Sequence, residues 1–342
     1  MTLAAGMESD LREAALAVER QTNVLAAPMK RLIGELNRQR PAVVVTCARG
    51  SSAHAATFAK HLFELRLGVP VAAAAPNVAT VYRRALNLKG QLFLAISQSG
   101  RSDDLIETTL SARRAGALAV ALVNDAESPL ADVSDIVLPV GAGAERAVAA
   151  TKSFVATLSA LLRLVARWAD DAPLDAALVR LPGRLAAALG LDWSGAAQAL
   201  ANARSLVTVG RGPTLAIARE AALKLKEIAN LHAEAFSGAE FLHGPVALVG
   251  VDYPLLMFVA ADETASGMRR LARDLRGKGA AVVWAGSGCG DGGMLPTLPP
   301  DHPDADALCL IQSFYKMAAP LAAARGIDPD HPRHLQKVTR TR

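Results

Sequence analysis

The feature that most constrains this 342-residue chain is an internal repeat. Three short apolar runs recur at a displacement of 162 residues: Val45 meets Val207, Leu92 meets Pro254, and Ala119 meets Ala281. In the first half the runs cover residues 43–47, 92–97 and 117–123. Each is short and continuously apolar, as a strand buried on both faces must be. The segments after the first two, 52–67 and 103–115, read as helices. Strand, helix, strand in that order requires a parallel sheet with helices on both faces. The predicted fold class is therefore α/β, a flavodoxin-like three-layer α/β/α unit occurring twice. Shared strand spacing in two unrelated α/β domains is the competing explanation. Duplication is favoured because register holds across ordinary loops.

The expected division is a helical segment at 1–40, interrupted by Pro28, a first domain at 41–190, a second at 191–325, and a tail at 326–342 containing Pro329 and Pro332. The first domain includes an Ala- and Leu-rich helical connector at 142–189. Two domains also suit the length, at ~150 residues each.

Composition narrows the class of function. Lys and Arg number 37 against 32 Asp and Glu, and aromatic residues are only 4%. A nucleic-acid binder needs a concentrated basic stripe with aromatic platforms, so no nucleic-acid partner is expected. Cys47, Cys289 and Cys309 lie far apart with no CxxC pair, which argues against a zinc site or a disulfide framework and fits a reducing cytoplasm. The first ten residues lack the basic-then-apolar order of a signal peptide. The apolar stretch at 154–169 is broken by Arg163 and Arg167 and is too short to span a bilayer, so no membrane association is expected.

Between the second run and its helix stands Ser97-Gln98-Ser99-Gly100-Arg101-Ser102. Backbone N–H groups and the positive end of the helix dipole there suit a phosphate, and the serine hydroxyls add donors. Ser102 by itself is equally explained as a helix N-cap, with Asp103 and Asp104 favouring the dipole. Four polar side chains in six residues exceed what a cap needs. Gly50-Ser51-Ser52 follows the first run and belongs at the same sheet edge. The matching second-half loop, Val259-Ala260-Ala261-Asp262-Glu263, has no hydroxyls and two acids, so only the first half is expected to hold phosphate. Arg101 either adds charge near that phosphate or faces solvent. On the predicted helix at 214–230, Glu220, Lys224 and Glu227 share one face, a pattern that a solvated surface with ion pairs also produces.

Ser97-Gln98-Ser99-Gly100 after a strand, preceded by Gly50-Ser51-Ser52, resembles the SIS (sugar isomerase) domain family, whose members hold phosphosugars in these loops. Further similar stretches are Ala149-Ala150-Thr151-Lys152-Ser153-Phe154, Ala222-Leu223-Lys224-Leu225-Lys226-Glu227-Ile228, His232-Ala233-Glu234-Ala235, Glu240-Phe241-Leu242-His243-Gly244-Pro245 and Pro332-Arg333-His334-Leu335-Gln336-Lys337. Together they are most similar to the isomerase part of glucosamine-6-phosphate synthase and run from about Val43 to Lys337. The resemblance implies two tandem SIS domains that use no metal and no cofactor. It implies substrate binding by Ser52, Ser97, Gln98, Ser99, Ser102 and Ala149. It makes Glu227 the base that shuttles a proton between C1 and C2, places Lys224 near the reacting oxygens, and makes His243 the ring-opening residue. In relatives that histidine reaches the neighbouring subunit's site, so a homodimer is implied. Lys337 matches a lysine that forms a Schiff base with the open ketose beneath a tail that closes over the sugar.

The synthase takes nitrogen through an N-terminal glutaminase whose nucleophile is a cysteine exposed by removal of Met1. Here residue 2 is Thr and no cysteine precedes Cys47, so glutamine is not expected to be the nitrogen donor. Arg101, Ser102 and Arg49 depart from the synthase and look like the stand-alone SIS-type glucosamine-6-phosphate deaminases. The expected activity is conversion of glucosamine 6-phosphate to fructose 6-phosphate and ammonia. The alternatives are another amino sugar or fructosamine 6-phosphate as substrate, and a non-catalytic phosphosugar sensor. A sensor predicts an attached DNA-binding or interaction domain and no acid–base set.

Overall fold

The computed structural model describes residues 5–286 and 293–337. Cys289 and the positions after Lys337 lie outside the described residues. The chain divides into two compact units, one of Met1–Ala15, Glu145–Thr151 and Ala176–Leu335, the other of Leu16–Ala144, Lys152–Asp175 and Gln336–Arg342.

Two helices open the chain, α1 (Ala5–Val24) and α2 (Ala26–Arg38). The break falls at Leu25, and Pro28 lies in the first turn of α2, where a missing N–H costs no helical hydrogen bond. The first-half strands are β1 (Val44–Ala48), β2 (Val71–Ala73), β3 (Leu92–Ser97), β4 (Leu118–Val123) and β5 (Ile136–Pro139). They form one parallel sheet in the order β2-β1-β3-β4-β5. The helix α3 (Ser51–Leu62), extended by a π turn over Phe63–Leu67, joins β1 to β2, and α4 (Pro76–Thr80) precedes β3. The connection from β3 to β4 is α5 (Asp103–Arg114), and α6 (Pro129–Asp132) leads to β5. Every residue of the central strand β3 is buried, which accounts for its unbroken apolar sequence. Phe93, Leu105 and Val123 anchor the core on one face of this sheet.

The stretch read as a connector holds α7 (Lys152–Ala169) and α8 (Ala172–Ala188), with Pro182 accommodated inside α8. After α9 (Ser194–Leu200) the second-half strands are β6 (Ser205–Gly210), β7 (His232–Ser237), β8 (Pro254–Val259), β9 (Ala281–Gly286) and β10 (Met294–Leu295). Their parallel order is β7-β6-β8-β9-β10, the same as in the first sheet. The joining helices are α10 (Thr214–Ala229) and α11 (Ala265–Gly277), and α12 (Pro303–Ala324) follows. Both sheets thus have the 2-1-3-4-5 order of flavodoxin-like folds.

The displacement of 162 residues is realised in the strand pairing. Val45 pairs with Phe93, and Val207 pairs with Leu255. It shifts at the third strand, because Leu92 pairs with Leu118 whereas Pro254 pairs with Ala281. Ala119 therefore corresponds to Val282 and not, as the sequence spacing has it, to Ala281. The additional residue enters before the helix C-terminal glycines, since Gly116 and Gly279, both at positive φ, already carry the shift.

By length and composition α12 is apolar enough to cross a membrane, yet 78% of that window is buried inside the protein, as a core helix requires. The start of α1 is tied to the tail, with the Gly6 and Met7 amides both donating to the Asp330 carboxylate at 2.8 Å.

Candidate functional site

In a 2-1-3-4-5 sheet the chain leaves β1 toward β2 and leaves β3 in the opposite direction, so the crevice at their carboxyl ends is where ligands bind in open α/β sheets. Ala48 and Ile96 are register partners, and the two small-residue loops therefore leave neighbouring strand ends within one unit. The first turn of α3 supplies Ser52, and the loop before α5 supplies Ser97, Gln98, Ser99 and Ser102. The structure brings these five residues to one sheet edge.

The loop is shaped from within. The Ser97 hydroxyl accepts from the Gly100 amide at 3.0 Å, and the Ser99 hydroxyl accepts from the Arg101 amide at 3.3 Å. Gly100 has φ +63°, and a Cβ there would overlap the Ser128 side chain and approach a Val123 methyl at 2.9 Å. Any other residue would be both strained and crowded at this turn. Ser102 occupies the N-cap position of α5, but its side chain makes no capping hydrogen bond. Its hydroxyl is therefore not committed to the cap that sequence alone would explain.

Both arginines of the region are committed elsewhere. Arg49 holds the buried Asp104 carboxylate through Nε at 2.9 Å and a second nitrogen at 2.8 Å, joining the end of β1 to the first turn of α5. Arg101 pairs with Asp125 at 2.9 Å in a half-exposed ion pair. The Cys47 thiol, on β1, is pushed up to about 12 by burial, with Asp104 adding to the effect.

The other unit carries the charged face of α10. That face is not solvated: Glu220 is 0% exposed, Lys224 1% and Glu227 20%. The Lys224 ammonium lies 3.3 Å from Glu220 Oε1 and donates to Glu227 Oε2. Burial disfavours the ammonium, but the carboxylates of Glu220 and Glu227 outweigh it and hold the Lys224 pKa above its ordinary value. A third group, which the sequence did not single out, closes the cluster. Tyr315 of α12, fully buried, donates its hydroxyl to Glu220 Oε1 at 3.1 Å. Burial first, and then the charge of Glu220, raise the Tyr315 phenol well above its ordinary range. Its only sequence signal is a phenol on a mostly apolar helix, which needs a polar partner when buried.

Ala149 groups with this second unit rather than with the serine loops. It is buried, beside a turn in which the Glu145 carboxylate accepts from the Thr151 amide at 2.7 Å. His243 ends the short 3-10 turn Glu240–Leu242, is exposed, and donates its backbone amide to Glu240 at 3.0 Å. Leu242, Leu248 and Val251 around it are exposed as well. Lys337 is exposed at the end of the described tail. Among the described residues no cluster of three His, Cys, Asp or Glu is placed to hold a metal.

Residues 38–167 and 199–284 match the SIS domain family. A glutamine–fructose-6-phosphate aminotransferase (isomerizing) of Zymomonas mobilis is 31% identical over 89% of this chain and 52% of its own length. The chain thus spans about half the length of the curated relatives it matches. Among solved structures, a Silicibacter pomeroyi protein provisionally assigned as a phosphosugar isomerase is 44% identical, with a TM-score of 0.90 over 95% of this chain and 99% of that one. A Thermotoga maritima glucosamine-6-phosphate deaminase shares the fold at a TM-score of 0.74 and 23% identity, over 96% of this chain and 100% of that one.

Proposed function

The chain belongs to the SIS domain family, and on that premise we propose that it converts glucosamine 6-phosphate and water to fructose 6-phosphate and ammonia. The observation that carries this reading is the buried Lys224 ammonium held between the buried Glu220 and the partly exposed Glu227. Burying an ion pair costs several kcal/mol per ion and stabilises a fold poorly, so such a cluster fits a chemical role better than a structural one.

In this reading the sugar phosphate group sits on the loop amides and hydroxyls of Ser97, Ser99 and Ser102, with Ser52 and Gln98 contributing; Ala149 is a substrate residue by family resemblance alone. His243 opens the pyranose ring, giving up a proton to the ring oxygen and taking one from the C1 hydroxyl. Glu227, partly exposed beside a fully buried cation, removes the proton at C2 and returns it to C1. The Lys224 ammonium stabilises the negative charge that develops on oxygen meanwhile. The C1 oxygen takes a proton as the C2 amino group gives one up, so the product is a C2 imine with a C1 hydroxymethyl group, and water adds to the imine carbon and releases ammonia. Lys337 holds the open ketose. The exposed Leu242 beside His243, and Leu248 in the next turn, support delivery of that histidine to a second copy in a homodimer.

Kinetics on a panel of glucosamine, galactosamine and fructosamine 6-phosphates test the substrate. Highest kcat/KM on the gluco epimer, with ammonia and fructose 6-phosphate formed in equal amounts, is the expected result. Preference for fructosamine 6-phosphate would make the enzyme a deglycase instead.

A further inference from the structure

Glu220 Oε1 is shared. It accepts from the Tyr315 hydroxyl at 3.1 Å and faces the Lys224 ammonium at 3.3 Å, while the same ammonium makes its shorter contact with Glu227. We propose that Tyr315 is a positioning residue of the proton-transfer site: by donating to Glu220 it weakens that carboxylate's hold on Lys224 and leaves the ammonium directed at Glu227. This inference rests on the reading of Glu227 as the base.

The argument follows from competition at one oxygen. A carboxylate oxygen that already accepts a hydrogen bond carries less charge for a second donor. Tyr315 and Glu220 are both fully buried, and water cannot substitute for the hydroxyl at no cost. Glu220 and Glu227 of α10 act on both Lys224 and Tyr315, and the Glu145 carboxylate, ahead of α7, acts on Tyr315 electrostatically. Glu145 is engaged by the Thr151 amide. Within α10 the next cation, Lys226, points away and donates to the Ala233 carbonyl at 3.0 Å.

Removing only the hydroxyl, in Tyr315→Phe, keeps the aromatic packing against Phe314. Glu220 then draws Lys224 toward itself and Glu227 loses part of its counter-charge. A carboxylate that loses a nearby cation titrates at higher pH. The acidic limb of the kcat/KM profile, where the base must be ionised, should therefore move up by about half a unit or more, with KM at the plateau within about twofold of wild type. Tyr315→Leu, which removes hydroxyl and ring together, should move the limb equally. An activity-independent readout is a ¹³C titration of protein labelled at the glutamate carboxyl carbon, with the Glu227 signal identified by its loss in Glu227→Gln. That signal should titrate higher in Tyr315→Phe than in wild type. An unmoved or lowered Glu227 titration overturns the inference, whatever the activity assay gives. If the carboxyl shift appears but no amino sugar phosphate is turned over, the positioning stands and the functional reading fails.

Discussion

The two sheets are copies in topology and opposites in chemistry, and α3 and α10 show it most clearly. Each helix follows the first strand of its half. At the spacing of 162 residues, Glu220 and Lys224 of α10 correspond to Phe58 and Leu62 of α3, and all four are buried. The first half fills these positions with hydrocarbon and places its polar groups in the loop before α5. In the second half they hold a charge cluster, and the loop after β8 has Asp262 folded back on the Thr264 amide at 2.8 Å and hydroxyl at 2.5 Å. On the proposed reading, a duplicated sheet divides anion binding and proton transfer, each built where the other copy has ordinary structure.

The largest expected effect is on catalysis. Glu227→Gln removes the proposed base while keeping the side chain's shape and its contact with Lys224, and turnover should fall by roughly 10²- to 10⁴-fold. Activity within a few-fold of wild type would remove Glu227 from the mechanism.

Stability tests the contrast between the helices directly. Lys224→Met takes the ammonium away from the buried Glu220 and should cost about 3–5 kcal/mol in urea denaturation. The double substitution Glu220→Phe with Lys224→Leu imports the residues of α3, and it should regain part of that stability, offset by the Tyr315 hydroxyl losing its acceptor, while remaining inactive. Equal losses in the single and double variants would show that unpaired charge is not the source.

Alkaline pH should affect the second half more. Burial raises Cys47 and Cys309 from 9.0 to about 12, and Lys224 and Tyr315 also lie above their ordinary values. A group with a raised folded pKa contributes its full stability below the unfolded value and loses it as pH rises toward the folded one. Melting temperature should therefore fall from about pH 9 upward, and more gently in Cys309→Ala than in wild type. A flat melting temperature between pH 9 and 11 would contradict the buried, protonated assignments.

The smallest effect belongs to Arg101. Its pairing with Asp125 is about half exposed, so Arg101→Ala should change stability by less than about 1 kcal/mol and KM by less than about threefold. A tenfold rise in KM would instead place Arg101 on the substrate phosphate.

Much of this was legible in the chain. The apolar runs located the three central strands of each sheet because strands buried on both faces must be apolar throughout, and Leu92–Ser97 was read to the residue. The edge strands Val71–Ala73, Ile136–Pro139 and Met294–Leu295 were not, being two to four residues long and open on one side, nor was the six-residue edge strand His232–Ser237, whose apolar run is interrupted by His232 and Glu234. In the candidate site, the serine loop and the triad on α10 stood out by local spacing. Whether that triad faced water or core was invisible, since charge at i, i+4 and i+7 fits either. Tyr315 lay beyond reach for a different reason: its partner Glu220 is 95 residues away, and no local pattern encodes that contact.

The most direct test of the account is to incubate the wild-type protein with glucosamine 6-phosphate in deuterated water and follow the sugar by NMR. The account predicts fructose 6-phosphate and ammonium in equal amounts, with deuterium entering at C1 through exchange on Glu227. Sugar that stays unchanged, at the level of the Glu227→Gln variant, would contradict it.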